Sequence, residues 1–293
     1  MTSKQTGALL LLSAIWGAVF LFFRIAVPVL GPVMLIELRV GIAALALLLY
    51  GLIRRQVPPL RPHWRHYLLI GTINSAIPYL LFAVAALYLP SSILVTLNAT
   101  TPLFGLLVAA LWMGERLTPQ KVGGLLLGLA GVVTLVGLGP IPLTPETLLA
   151  TGLSLLAALS YGFAAVYTKV KAKGAQPQGL ATYSQLFAAL VIAPLTPLAL
   201  PEAMPSLLVV GSVLTLAVLC TSVAFLLYFY LIVEAGPTRA VMVTYLAPAF
   251  GMLWGALLLH EPLGPGSFAG LALILLSVAL VTRGAPAARP ARA

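Results

Sequence analysis

Asn98 stands inside the apolar stretch "ILVTLNATTPLFGLLVAAL", four residues before Pro102. A carboxamide donates and accepts hydrogen bonds at once, which suits the carboxylate or ammonium of an amino acid, or a partner on a neighbouring helix. Pro102 has a counterpart in Pro248. Each lacks an N–H and would strand the carbonyl four residues back, that of Asn98 or Thr244. Such breaks expose backbone polarity to a solute, or are relieved as plain packing kinks. Tyr79 follows Pro78 and Tyr245 precedes Pro248 by one turn, so these are the aromatics expected to face a solute. Trp16, Tyr161 and the adjoining Ser160 are expected around the same cavity. Thr101 is a weaker candidate, because a threonine hydroxyl can bond its own helix carbonyl.

The remaining chemistry is sparse. The chain has no aspartate, six glutamates, three histidines (His63, His66, His260) and one cysteine, Cys220. No Ser–His–Asp set, pair of carboxylates or HExxH run is available for catalysis, and no Cys spacing suits a metal or a disulfide framework. No phosphate loop provides for a nucleotide. The expectation is a protein that binds and moves a solute, with no enzymatic activity, metal or cofactor.

The elements that must position these residues follow from composition. Of 293 residues, 61% are hydrophobic and 8% charged, against roughly a quarter charged in soluble proteins. A hydrocarbon layer about 30 Å thick needs roughly 20 apolar residues per helix. Ten such spans are predicted, at 7–27, 32–52, 67–88, 92–112, 120–138, 147–169, 178–199, 206–231, 238–259 and 266–283. The first is too long for a signal core and lacks a small-residue cleavage site, so it reads as a retained helix. The net charge of +10 follows topology. Arg54, Arg55, Arg61, Arg65, Arg116, Lys121, Lys169, Lys171, Lys173 and Arg239 fall in alternate loops, with Lys4, Arg283, Arg289 and Arg292 at the ends. The other loops, such as "LPSS" and "GPIPLTPE", carry no lysine or arginine. This positive-inside pattern predicts cytoplasmic termini and contact with anionic lipid, and no nucleic acid.

The spans repeat. "GERLTPQKVGG" from Gly114 matches "HEPLGPGSFAG" from His260, within a gapless match of 96–136 to 242–282 that is about one-third identical. "AIWGAVFLFFR" likewise matches "LSYGFAAVYTK", pairing Trp16 with Tyr161. Five spans per copy is odd, so the second copy enters inverted. Arg116 and Lys121 then face the basic side, while their counterparts Pro262 and Ser267 face the other. The predicted units are 1–145 and 146–293. Gly124 and Gly128, with Gly266 and Gly270, form small-residue stripes for packing the halves or for a dimer face. Glu37 and Arg39 fall in the outer part of span two, with Arg24 the obvious partner of Glu37; charge there must be paired, wet or snorkelling.

"SAIWGAVFLFFRIAVPVLGPVMLIELR" and the paired "GERLTPQKVGG" and "HEPLGPGSFAG" segments resemble both halves of the drug/metabolite transporter superfamily, EamA type. The resemblance covers essentially the whole chain, and is closest to the family's exporters of aromatic and other neutral amino acids. It implies an all-α protein of ten transmembrane helices in two inverted repeats of five, in a bacterial-type inner membrane. It also implies a cavity among spans one, three, four, six, eight and nine, and a structural or gating role for Arg39. The expected activity is facilitated alternating-access export of small neutral metabolites, amino acids above all, by a monomer or homodimer. Export of drugs or other metabolites, proton coupling, a channel and a lipid scramblase stay open as alternatives.

Overall fold

The computed structural model describes residues 1–172, 174–201 and 204–282. Lys173, Arg283, Arg289 and Arg292 of the basic set lie outside them, as does Glu202. Among the described residues the fold is entirely helical. Eight helical stretches are long and apolar enough to cross a membrane, and Val243–Leu259 is a shorter apolar helix of 17 residues.

The first stretch, Ser3–Ile53, runs 51 residues where the sequence predicts two spans. It comprises α1 (Ser3–Gly17) and α2 (Val19–Ile53), and α2 is interrupted at Gly31, whose φ of 72° and ψ of 162° are non-helical. Pro28 and Pro32 flank that residue, and glycine adopts positive φ without a Cβ clash. Next come α3 (Trp64–Gly71), a π-helical turn at Thr72–Ala76, and α4 (Ile77–Ala85). α5 (Ser91–Asn98) and α6 (Thr101–Met113) are separated by a turn at 99–100. α7 (Pro119–Gly137), α8 (Pro145–Lys171) and α9 (Pro177–Ile192) each begin on proline, where a missing N–H costs nothing. α10 (Leu207–Leu214) passes through a nine-residue π-helical segment, Thr215–Val223, into α11 (Ala224–Ala235). The short α12 (Pro237–Ala240), α13 (Val243–Leu259) and α14 (Pro265–Thr282) follow.

The helix contacts come in matched sets. α1 crosses α13, and α8 crosses α6; α4 packs on α8, and α11 on α1. α7 pairs with α14, and α2 with α9. The closest crossings use glycine because no side chain fits. A Cβ on Gly17 would lie 2.7 Å from the Ala247 carbonyl oxygen, and one on Gly162 would lie 2.6 Å from the Gly105 nitrogen. The small-residue stripes are filled within the chain: Gly124 and Gly128 meet Val281 and Ser277 of α14, while Gly270 meets Leu135 of α7. Outward from that pair, Leu126, Leu129 and Val133 are each more than 60% exposed, an apolar face suited to lipid.

Side-chain contacts gather the basic loops at one end. His66 Nδ1 lies 2.7 Å from Tyr167 Oη, Trp112 stacks on Phe163 and meets Tyr167 at a tilt, and Tyr183 donates to the Pro58 carbonyl at 2.6 Å. The loops at 90, 138–142 and 260–265 meet at the other end, where Glu261 reaches Ser91 and Gly264 approaches Pro140.

Gly162→Val therefore drives a branched side chain into the α6 backbone, an overpacking worth about 1–3 kcal/mol. The expected outcome is a lower melting temperature and a smaller monodisperse fraction of purified protein. Gly152→Ala, with nothing within 4 Å, is expected to match or exceed the parent in the same thermal-shift assay.

Candidate functional site

Where α1, α4, α8 and α13 converge, they enclose a cavity of about 530 Å³, within the roughly 300–1,000 Å³ usual for small-molecule sites. Eight aromatic residues line it: Trp16, Phe20, Phe23, Tyr79, Phe82, Tyr161, Phe225 and Tyr228. Trp16 packs on Tyr228 with centroids 5.3 Å apart, and Tyr79 meets Tyr161 edge-on at 6.4 Å. The polar lining is confined to a few groups, chiefly Asn74, Asn98, Thr101, Thr244 and Arg39.

Each irregularity in the helices delivers part of that lining. Pro102 leaves the Asn98 carbonyl without a helical donor, and the Thr101 hydroxyl supplies one at 2.8 Å. The chain can then turn at 99–100 while Asn98, Thr101 and Pro102 all line the cavity. The Asn98 Oδ1 is buried and has no hydrogen-bond partner among the described residues. In the second half the turn falls at 241–242, ahead of Pro248, and Val241, Thr244 and Pro248 line the opposite wall. The π-helical turn at Thr72–Ala76 carries Asn74, and that at Thr215–Val223 carries Cys220. π-bulges of this kind recur at functional sites.

Arg39 lies within the site. The sequence reading places it in the outer part of a span, but in the folded chain it is 4% exposed and is the one charged residue among those lining the cavity. Its guanidinium carbon sits 3.9 Å from the Tyr79 ring centroid and 5.4 Å from that of Phe23. Nε donates to Thr221 Oγ1 at 3.1 Å. Among the described residues no carboxylate pairs with it; the ion pair found there is Lys121 with Glu115. Glu37 does not pair with Arg24, which instead donates to the Ala86 carbonyl at 2.7 Å. One carboxylate oxygen of Glu37, Oε2, is buried without a partner.

Two expected residues sit elsewhere. Tyr245 turns toward α14, its hydroxyl 2.7 Å from Thr282 Oγ1, and packs beside Leu103, Leu106, Val278 and Val281. The lining positions 241, 244 and 248 recur every three or four residues, and 245 falls on the adjacent helix face. Ser160 donates to the Ile73 carbonyl at 2.6 Å and braces α8 against the π-helical turn, one residue off the face that presents Tyr161, Gly162 and Ala165. Pro78 is buried in the first turn of α4 and is not part of the lining. Sequence reasoning missed Asn74; it singled out Thr244 for its carbonyl alone and did not set Tyr228 apart from the aromatics that only pack. The signal for Asn74 was present, since an amide within an apolar span deserved the same weight as Asn98.

The two ends of the cavity differ. At one end the Glu261 carboxylate accepts from the Ser91 and Ser92 amides, at 2.6 Å and 2.9 Å, and so satisfies the first donors of α5. Gly255 makes room for it; a Cβ there would lie 2.5 Å from Glu261 Oε2. Toward the basic end a second cavity, of about 280 Å³, shares Asn74, Ala165, Phe225 and Tyr228 with the first and extends to Thr168 and Leu180. Glu115, the sequence counterpart of Glu261, pairs with Lys121 instead.

The EamA-like transporter family model matches residues 6–137 and again 148–283. The chain belongs to this family. Among EamA-like relatives, the "Uncharacterized inner membrane transporter YedA" of Escherichia coli strain K12 is 31% identical over 95% of this chain and 90% of its own length. The "Uncharacterized transporter YvbV" of Bacillus subtilis is 27% identical over 95% and 92%, and Protein PecM of Dickeya dadantii 26% over 91% and 88%. A solved crystal structure aligns over 97% of this chain and 98% of that one with a TM-score of 0.66 at 22% identity, a likeness of fold. The protein is thus a multi-pass membrane transporter of the EamA family, with relatives named for the inner membrane.

The Glu261 contact with the start of α5 is testable apart from any substrate. Charge-assisted hydrogen bonds contribute about 1.5–3 kcal/mol, and 1.4 kcal/mol is about a factor of ten in an opening equilibrium. Glu261→Gln is expected to speed hydrogen–deuterium exchange at the start of α5 by about tenfold or more. Glu115→Gln should leave that peptide unchanged.

Proposed function

We propose that this transporter exports small metabolites with an apolar body, aromatic and other neutral amino acids first, by facilitated alternating access around the central cavity. The observation that carries this reading is the cavity's composition: aromatic and aliphatic side chains with a few polar groups, chiefly two asparagines, two threonines and one arginine. Rings bind an apolar body with little conformational entropy to lose, while a few fixed polar groups orient the head group.

Alternating access draws support from several features. A helical stretch of 51 residues would be about 76 Å long if straight, more than twice the hydrocarbon thickness, so Ser3–Ile53 is read as two crossings that turn at Gly31. With Val243–Leu259 counted as a crossing, the described residues make ten, five in each of the units 1–145 and 146–293. The double match to the family model and the matched helix contacts fit two such units in inverted orientation. Glu261 joins the loops at one end, while the adjoining cavity leads toward the other, as expected of a carrier at rest facing its basic side. The positive-inside pattern of the basic loops supports a cytoplasmic position for that side and for the termini.

Proton coupling is the second reading, favoured by the partnerless Glu37 Oε2 within a span. Glu37 does not line the cavity, so facilitated transport is preferred.

In proteoliposomes, labelled phenylalanine, methionine and threonine are expected to show saturable, mutually competing uptake and counterflow, with no dependence on an imposed proton gradient. Asn98→Ala and Tyr79→Ala should lower uptake efficiency about tenfold or more, whereas Tyr245→Phe should stay within about twofold of the parent. Uptake that is linear in concentration and lacks counterflow would indicate a channel. Uptake that requires the proton gradient and is lost in Glu37→Gln would establish the coupled mechanism.

A further inference from the structure

A guanidinium in an apolar interior keeps its charge, because arginine does not deprotonate in proteins, and an unpaired buried charge is costly. Arg39 carries that cost at the wall of the central cavity. It is nearly fully buried, lies over the rings of Tyr79 and Phe23, and is fixed on one side by the single bond from Nε to Thr221. The two Nη groups have no hydrogen-bond partner among the described residues, and no carboxylate lies within 4.0 Å. An arginine kept only to brace α2 against the π-helical segment would use its full fork on protein acceptors. Here the fork is left for something that enters the cavity.

We infer that Arg39 is the anchor for a carboxylate, and that the cargo of this cavity is an amphipathic monocarboxylate whose apolar body rests among Tyr79, Phe82 and Tyr161. The inference rests on the proposed carrier reading and narrows its substrate class. A planar fork matches a carboxylate with two parallel hydrogen bonds, and one cation balances one negative charge. A phosphate dianion would be left half neutralised, because no second cation lines the site. An α-ammonium is compatible, since the free Asn98 Oδ1 accepts a hydrogen bond and the tyrosine faces attract cations, but it is not the group that the site is charged to hold. The carboxylate therefore sets admission, and the amine modulates affinity.

Four ligands that share one phenyl body separate these roles: L-phenylalanine, 3-phenylpropionate, phenethylamine and L-phenylalaninamide. Binding is measured by calorimetry on the full-length purified protein, and transport by inhibition of labelled phenylalanine uptake in proteoliposomes. The first two ligands are expected to bind at least about tenfold more tightly than the last two. Arg39→Gln should abolish that preference, and Arg39→Lys should retain part of it, with each variant checked for folding by size exclusion. The wild-type ligand series decides the matter even if neither variant folds. Equal binding of all four overturns the carboxylate anchor and leaves the aromatic carrier standing. Selective binding of the two carboxylates without uptake overturns the carrier reading and leaves the anchor standing. No binding of either carboxylate by folded protein overturns the anchor.

Discussion

Within hydrocarbon there is no water to satisfy a backbone amide or carbonyl, and each one left unpaired costs several kcal/mol. A chain under that constraint gains by staying helical wherever it touches lipid and by confining irregular backbone to places where protein or a wet cavity surrounds it. This transporter follows that rule closely. The turn at 99–100, the turn at 241–242 and the two π-helical segments at Thr72–Ala76 and Thr215–Val223 each contribute to, or adjoin, the lining of one cavity. The groups they release find local partners: Thr101 serves the Asn98 carbonyl, and Thr221 and Ser222 bond five residues back to Leu216 and Ala217.

Polar side chains inherit their positions from these irregularities. Asn98 and Asn74 reach the cavity because the helix around each is broken or widened, and Thr221 is turned toward Arg39 by its π-helical segment. Arg39 is held in turn by rings from two different elements, Phe23 of α2 and Tyr79 of α4. Packing supplies the rigidity behind this arrangement. Glycine crossings at Gly17 and Gly162 set α1 on α13 and α8 on α6 at backbone contact, which brings Trp16 and Tyr161 to the same cavity from opposite halves.

Much of the architecture was legible in the sequence because membrane burial imposes strong patterns. Apolar run length marked the long apolar helices, and the likeness of "GERLTPQKVGG" to "HEPLGPGSFAG" marked the two segments that the family model matches separately. Pro102 marks the break after Asn98, because its missing N–H frees the carbonyl four residues back, whereas Pro248 is accommodated inside continuous α13. The π-helical segments left no such mark: one extra residue in a turn changes neither composition nor hydropathy. Tyr245 was misplaced because nearness to Pro248 was weighed above helix face. Run length puts Arg39 in the outer part of span two but cannot show that it lines the cavity, because its surroundings come from Tyr79 and Thr221, far away in the chain, and only the folded molecule assembles them. Glu261 carried a visible signal as the counterpart of Glu115, but its partner, the start of α5, lies 169 and 170 residues earlier.

The central claim is that solute passes through this cavity. Ala165 lines both the central space and its extension toward the basic end, on the face of α8 that presents Tyr161. With Ala165→Cys placed in a Cys220→Ala background, the alkylation rate of that one thiol reports occupancy directly. Saturating transported carboxylate is predicted to slow alkylation several-fold, with half-protection at the concentration that half-saturates uptake. An unchanged rate under conditions in which the same protein transports that solute would contradict the account and place the pathway elsewhere.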